Sequence, residues 1–351
     1  MRGAARLLAW YDDHRRDLPW RPGREPYQVW LSEIMLQQTR VDTVIPFYVG
    51  FLARFPTLDA LASAPLEAVL AAWSGLGYYR RARLLHAAAR RLVQGAGALP
   101  ATVAELRALP GIGDYTAAAV ASIAFGVRVA AVDGNVERVL ARRLGLAVVS
   151  RGDGRRRVRR AAQALLSRER PGDSNQALME LGATVCLPRR PLCAGCPLRR
   201  GCRGAAEGTP EGYPAPRRRR ATLAERRVVA VVEERGRLLL VRRPDSSGLL
   251  AGTWELPWGE VAAANGGAAG VRLAQRFATR FGGRWRLGPP AARLRHAITF
   301  RRLEVEVRLA RLDASGAVAE GVEAGWFSSA ERRGLPQSSL LTKALAAAGL
   351  A

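Results

Sequence analysis

All of the chain's cysteines, Cys186, Cys193, Cys196 and Cys202, fall in one stretch, CLPRRPLCAGCPLRRGC. The spacing is Cys-x6-Cys-x2-Cys-x5-Cys. A reducing, intracellular setting argues against two disulfides. A zinc ribbon would use two well-separated Cys-x2-Cys knuckles, and there is a single such pair. Four thiolates offered by one compact loop, residues 186–202, suit a cubane iron–sulfur cluster, with zinc as the alternative. Arg189, Arg190, Arg199, Arg200 and Arg203 flank the thiols. On a ligated loop they would form a rigid phosphate clamp; otherwise they simply solvate it.

Two carboxylates are placed for acid–base work. Glu33 sits in VWLSEIMLQQT among Trp30, Leu31, Ile34, Met35 and Leu36. A helix with that much apolar surface buries its Glu, and burial makes a carboxyl a proton donor near neutral pH; a plain surface Glu is the alternative. Asp133, before GNVERVLARRLG, is positioned to cap a helix and also to face a cleft as an anion. A protonated and an ionised carboxyl together are what cleavage of a glycosidic bond requires. His14, His86 and His296 are the chain's histidines, and none lies in a nucleophilic arrangement.

Between two helical stretches, ELRALPGIGDYTAAAVASIAF carries a tight Gly111–Ile112–Gly113 turn. The glycines are expected to free the backbone and clear the way, so that the next helix aims its first N–H groups at an anion. This is the form of a helix–hairpin–helix, which grips duplex DNA without reading sequence.

The elements that must position these residues fall into two textures. Residues 1–203 read as mostly helical: EPYQVWLSEIMLQQT, TLDALASAPLEAVLAAW, RARLLHAAARRLV, TVAELRAL, DYTAAAVASIAF, NVERVLARRLG and the helix-like NQALMELGATV have helix-length apolar patterns. Residues 204–225 lack periodicity and read as an exposed linker containing the arginine run 217–220. From 226 to 351 the chain reads as a smaller α+β domain. RRVVAVVEERGRLLLVRR gives two strands about a Gly turn. VRLAQRFATRF is helical, TFRRLEVEVRLARL alternates like a strand, and SLLTKALAAAG closes as a helix.

The chain of 351 residues has a formal charge of +25, with Lys343 its single lysine. Such a field favours polyanions, nucleic acid first; a GC-rich genome that inflates arginine is the alternative source. No apolar run is long enough to span a membrane, and the N-terminus lacks a signal-peptide core. A cytoplasmic, nucleoid-associated monomer is expected.

These residues together resemble the helix–hairpin–helix DNA glycosylases of the endonuclease III superfamily, and most closely the adenine DNA glycosylases of the MutY type. LPWR, SEIMLQQTRVDTVIPFY, GLGYYRRARLLHAAA, LPGIGDYTAAAVASIAFG, VDGNVERVLARRL, NQALMELGATVC and GLLAGTWELP carry the resemblance over nearly the whole chain. It implies an all-α glycosylase domain with a [4Fe-4S] cluster on the four cysteines, and a C-terminal Nudix-like domain. The substrate implied is double-stranded DNA with adenine opposite 8-oxoguanine or guanine. In endonuclease III enzymes a catalytic lysine follows the hairpin; here Tyr115 stands there, which implies a monofunctional glycosylase.

By the family's roles, Glu33 protonates adenine and Asp133 stabilises the sugar cation, electrostatically or through a transient covalent bond. Tyr115 and Asn135 support the sugar and the attacking water. Trp20, Arg21, Leu36 and Gln176 contact the extruded adenine, while Gln38 and Tyr78 wedge the stack near the opposing base. The Nudix-like helix reads RFATRFG without a carboxylate, which excludes diphosphate hydrolysis. The family's 8-oxoguanine sensor, usually Phe-Ser-His, corresponds to Ile298, Thr299 and Phe300, so discrimination against guanine is expected to be weaker; a half-buried strand is the other reading of this segment. A thymine·guanine glycosylase and a catalytically inactive damage binder are the rival functions.

Overall fold

The computed structural model describes residues 2–149, 152–216, 221–247, 250–261, 268–298, 300–313 and 322–350. Thr299 and the arginine run 217–220 lie outside them. The chain divides into two units: residues 1–63 with 84–218, and residues 64–83 with 219–351. The grouping of 64–83 with the C-terminal residues was not visible in the sequence.

Helices run Arg2–His14 (α1), Pro26–Leu36 (α2), Val41–Arg54 (α3), Leu58–Ser63 (α4), Leu66–Ala72 (α5), Arg80–Gln94 (α6), Val103–Arg107 (α7), Asp114–Phe125 (α8), Gly134–Leu144 (α9), Gly152–Ala164 (α10), Pro171–Thr184 (α11) and Arg203–Ala206 (α12). The single helix expected over 57–73 is two, because Pro65 cannot continue α4 and instead precedes α5. Residues 204–216, expected to be linker, carry regular structure. They hold most of α12, a 3-10 turn at Pro210–Gly212, and a bond from the Ala215 N–H to the Ala147 carbonyl at 2.9 Å.

In the first unit, α1, α9, α10 and α11 close a core of Leu7, Trp10, Tyr11, Val139, Leu140, Val158, Leu178 and Leu181. The apolar α2 and α8 are buried nearly throughout. Small side chains on α8 let its neighbours approach closely. A Cβ at Gly172 of α11 would sit 2.6 Å from the Ser122 carbonyl oxygen and 2.7 Å from the Ile123 Cα.

The second unit is built on a seven-stranded sheet. Its strands are Leu223–Glu234 (β1), Arg237–Arg242 (β2), Trp254–Glu255 (β3), Trp258–Glu260 (β4), Arg284–Ile298 (β5), Arg301–Asp313 (β6) and Ala324–Phe327 (β7). The order is β3-β2-β1-β6-β5, with β4 on β1 and β7 on β2. The same unit holds α5 and the helices Ala268–Phe281 (α13), Ser329–Arg333 (α14) and Ser339–Ala347 (α15). The β1 run VVAVV is buried on both faces. Val228, Ala230 and Val232 pack with Phe277 and Phe281 of α13, while Val229 and Val231 pack with Leu341 and Leu345 of α15. That is why the strand reads as a continuous apolar run.

The contact of Gly172 is with backbone atoms that cannot swing aside. Gly172→Ala is therefore expected to destabilise the fold by about 1–3 kcal/mol, read as a lowered midpoint in a thermal melt. An unchanged midpoint would show that α11 and α8 can part at no cost.

Candidate active site

A cleft of about 950 Å³ opens in the first unit, and it gathers most of the residues singled out from the sequence. Trp20, Arg21, Glu33, Leu36, Gln38, Gly111, Gly113, Tyr115, Asp133, Asn135 and Gln176 all line it.

Glu33, in the last two turns of α2, is 6% exposed, and its Oε2 is buried with no hydrogen-bond partner. Burial, reinforced by the charge of Asp133 and partly opposed by the Tyr115 hydroxyl, pushes its pKa up from 4.5 to about 7. Asp133 is treated differently. It caps α9: one oxygen accepts from the Val136 N–H at 2.7 Å, the other from Asn135 Nδ2 at 3.0 Å. Burial still raises it, but those donors and the Arg138 charge oppose the rise. Glu33 thus keeps one buried oxygen without a partner, while Asp133 has a donor on each oxygen, a difference in surroundings that lets two acids take opposite roles. Burial, then the charges of Glu33 and Asp133, holds the Tyr115 hydroxyl protonated, well above the ordinary tyrosine value. That hydroxyl lies 3.5 Å from Met179 Sδ.

Glu180 was not among the residues singled out from the sequence. It is 1% exposed on α11, and Arg16 and Arg21 clamp it: Arg16 Nε at 2.6 Å, Arg16 NH2 at 3.0 Å and Arg21 NH2 at 2.7 Å. Burial opposes its charge, yet the two guanidiniums hold it below the usual carboxylate range. Arg21 also donates to the Arg16 carbonyl at 2.6 Å, so it is fixed before any base arrives. Gln176 lies one turn earlier on the same helix, an i,i+4 spacing that could have pointed to Glu180. Trp20 is steadied by an edge contact with Tyr48 at 5.3 Å.

The hairpin forms, with one correction. Gly111 takes φ +78°, and a Cβ there would meet Leu84 Cβ at 2.8 Å, so glycine is required. Gly113 has φ −93° and ψ −179°, extended backbone open to any residue. Its contribution is to leave the start of α8 without a capping side chain. Asp114 in that first turn is already held by Arg107 at 3.0 Å, Arg159 at 2.9 Å and Arg155 at 3.7 Å.

The four cysteines are free thiols around one recess. The arginines that touch their loop most intimately come from α9, not from the flanking set noted in sequence. Arg142, 2% exposed, donates to Cys186 Sγ at 3.3 Å and to the Leu187 carbonyl at 2.6 Å. Arg138 donates to the Cys186 carbonyl at 2.9 Å and to Asn135 Oδ1 at 2.9 Å. Asp133, Asn135, Arg138 and Cys186 therefore form one connected chain. Burial pushes the Cys186 thiol up and Cys196 to about 11. Ionising such thiols needs a nearby positive centre, which a metal group supplies. The donor set fits a thiolate-ligated group.

Residues 31–168 match the model described as HhH-GPD superfamily base excision DNA repair protein, and residues 227–347 match the NUDIX domain. Among curated proteins, the adenine DNA glycosylase of Mycolicibacterium smegmatis is 42% identical over 257 residues, spanning 72% of this chain and 84% of that protein. The chain belongs to the adenine DNA glycosylase family. The human member is also 42% identical, over 307 residues and 72% of this chain. The chain spans only 56% of that protein's length and 59% of its mouse counterpart's. Among solved structures, a thermostable thymine-DNA glycosylase aligns with a TM-score of 0.54 at 29% identity, over 58% of this chain and 95% of that one. An endonuclease III–DNA complex, at 24% identity and a TM-score of 0.50, shows the same fold. No helix among the described residues is long and apolar enough to cross a membrane.

Against the family pattern, the remaining expected residues belong to the second unit. Tyr78 is 40% exposed with φ +52°, and the Arg81 guanidinium lies 5.2 Å from its ring. Ile298 ends β5 and Phe300 lies in the turn to β6, both half-buried. The segment is thus the tip of a β-hairpin. Thr299, between them, lies outside the described residues.

The pKa of Glu33 carries a stability consequence. A folded value of about 7 against an ordinary 4.5 means that the folded state holds the proton longer. Stability is then lost as pH rises between those values, by on the order of 3 kcal/mol. Glu33→Gln, neutral throughout, is expected to melt higher than the parent at pH 8. The difference should vanish as pH falls below about 4.5. Parallel melting curves at all pH values would refute the assignment.

Proposed function

We propose that the chain excises adenine from duplex DNA by hydrolysing its N-glycosidic bond, acting on adenine opposite 8-oxoguanine or guanine. The asymmetry of Glu33 and Asp133 carries this reading, and membership of the adenine DNA glycosylase family supports it. A flipped adenine enters the cleft against Trp20, Leu36 and Gln176, with Arg21 held rigid by Glu180. Glu33 hands its proton to N7 of the base. The C1′–N9 bond breaks with its electron pair on the base, and the deoxyribose becomes an oxocarbenium-like cation. Asp133, ionised and fixed by Val136 and Asn135, stabilises that cation. Water adds to C1′, with Tyr115 and Asn135 ordering the sugar and the attacking oxygen. No lysine stands after the hairpin to form a Schiff base, so the strand is left uncut.

The hairpin around Gly111 and Gly113 grips the phosphates, with Gln38 and Tyr78 filling and wedging the stack. Ile298, Thr299 and Phe300 are assigned to the opposing base. Cys186, Cys193, Cys196 and Cys202 would hold a [4Fe-4S] cluster as a structural staple of the loop. Their shared recess supports this. A soluble, monomeric repair enzyme acting on the nucleoid is the setting proposed.

Single-turnover release of adenine opposite 8-oxoguanine is expected to slow by roughly 10²–10⁴-fold in Glu33→Gln. Release at the parent rate would refute the assignment. In the same assay, a thymine·guanine duplex should remain intact; its cleavage in preference to adenine would favour the thymine reading. Iron analysis and visible absorbance should find a thiolate–iron chromophore bleached by chelation, and zinc without iron would contradict the cluster.

A further inference from the structure

In the second unit, three guanidiniums close on one half-buried indole. Trp258, at the start of β4, donates through Nε1 to Glu255 Oε1 at 2.6 Å. The guanidiniums of Arg227 on β1, Arg280 on α13 and Arg243 just after β2 lie 4.2, 4.4 and 5.4 Å from its ring centre. Arg243 pairs with buried Glu255 at 2.9 Å. Arg227, 5% exposed, pairs with Glu225 at 2.6 Å, and Glu225 also takes Arg301. Among the described residues Arg280 has no carboxylate partner, and it donates instead to the Trp258 carbonyl at 3.3 Å. The Arg227 Nε is buried with no hydrogen-bond partner there.

Four arginines thus face two paired carboxylates. Glu255 and exposed Glu260 also act on Arg280, and positive charge is still in excess among the described residues. Cation–π contacts align guanidinium planes but leave their charge in place. Like charges this close repel where water is partly excluded. A multiply charged anion would relieve the repulsion, and guanidinium forks match phosphoryl oxygens.

We propose that Arg227, Arg243 and Arg280 around Trp258 form a binding site for a phosphoryl group, brought by a nucleic-acid backbone or by a free nucleotide. The site binds without cleaving, because α13 carries no Asp or Glu to hold a metal ion. The inference goes beyond base excision and stands whether or not the cleft acts as proposed.

The test uses the full chain and Arg280→Ala, with Arg280→Lys keeping the charge and Arg295→Ala, an exposed arginine on β5 that does not touch Trp258, as a control. Calorimetric titration with inorganic pyrophosphate is expected to show at least a tenfold loss of affinity in Arg280→Ala, partly restored by lysine and absent in Arg295→Ala. A parallel loss for a nucleoside triphosphate, with undamaged duplex unaffected, identifies a nucleotide. A fall of about one in the slope of log affinity against log salt for undamaged duplex identifies the backbone as the source. Equal pyrophosphate binding and an equal salt slope in the parent and Arg280→Ala would overturn the proposal, as would a loss matched by Arg295→Ala. Excision kinetics, run alongside, report separately on the cleft.

Discussion

The site depends on depriving one carboxyl of water while leaving one of its oxygens without a donor. Glu33 has apolar helix on its own element and a buried Oε2 with no partner, so its proton stays bound at a pH where free glutamate has lost it. That condition constrains everything around it. The elements α2 and α8 must pack closely enough to exclude water, which calls for the alanines of α8 and for Gly172 on α11. Asp133, beside it, receives at the head of α9 a donor on each oxygen, which opposes the rise that burial causes. The fold treats two chemically similar groups in opposite ways through packing at one and capping at the other.

The second constraint is rigidity around the cleft. Glu180, on the wall of the same cleft, fixes Arg16 and Arg21. Asn135 and Arg138 join Asp133 to the backbone of Cys186. A ligated cysteine loop would therefore set the position of α9, and with it the capping aspartate. A loop that lost its ligation would be felt first at the Asp133 cap.

Much of this was legible in the sequence wherever local pattern governs. The element α8 runs Asp114–Phe125 as its glycine stops require, and the burial of Glu33 followed from its apolar neighbours. The β1–β2 hairpin follows from its Gly turn. What was hidden is long-range or against local preference. Arg16 and Glu180 are 164 residues apart. The helix α10 was missed because its arginines leave only Val158 and Ala162 buried. The strand β5 contains Gly288, Pro289 and Pro290, which read as a breaker. It survives as an edge strand with register shifts at Leu287, Pro290 and Ala292, where a missing N–H costs little. Arg142 looked like one more surface arginine until the thiol it serves was brought beside it.

The central claim is that Glu33 is a proton donor by virtue of burial. The most direct test is the pH dependence of the single-turnover rate constant for adenine release by the unmodified protein at saturating DNA. The rate is predicted to hold steady below about pH 7 and to fall tenfold per pH unit above it, as Glu33 loses its proton. A rate that stays level to pH 9, or that rises through this range, would contradict the account.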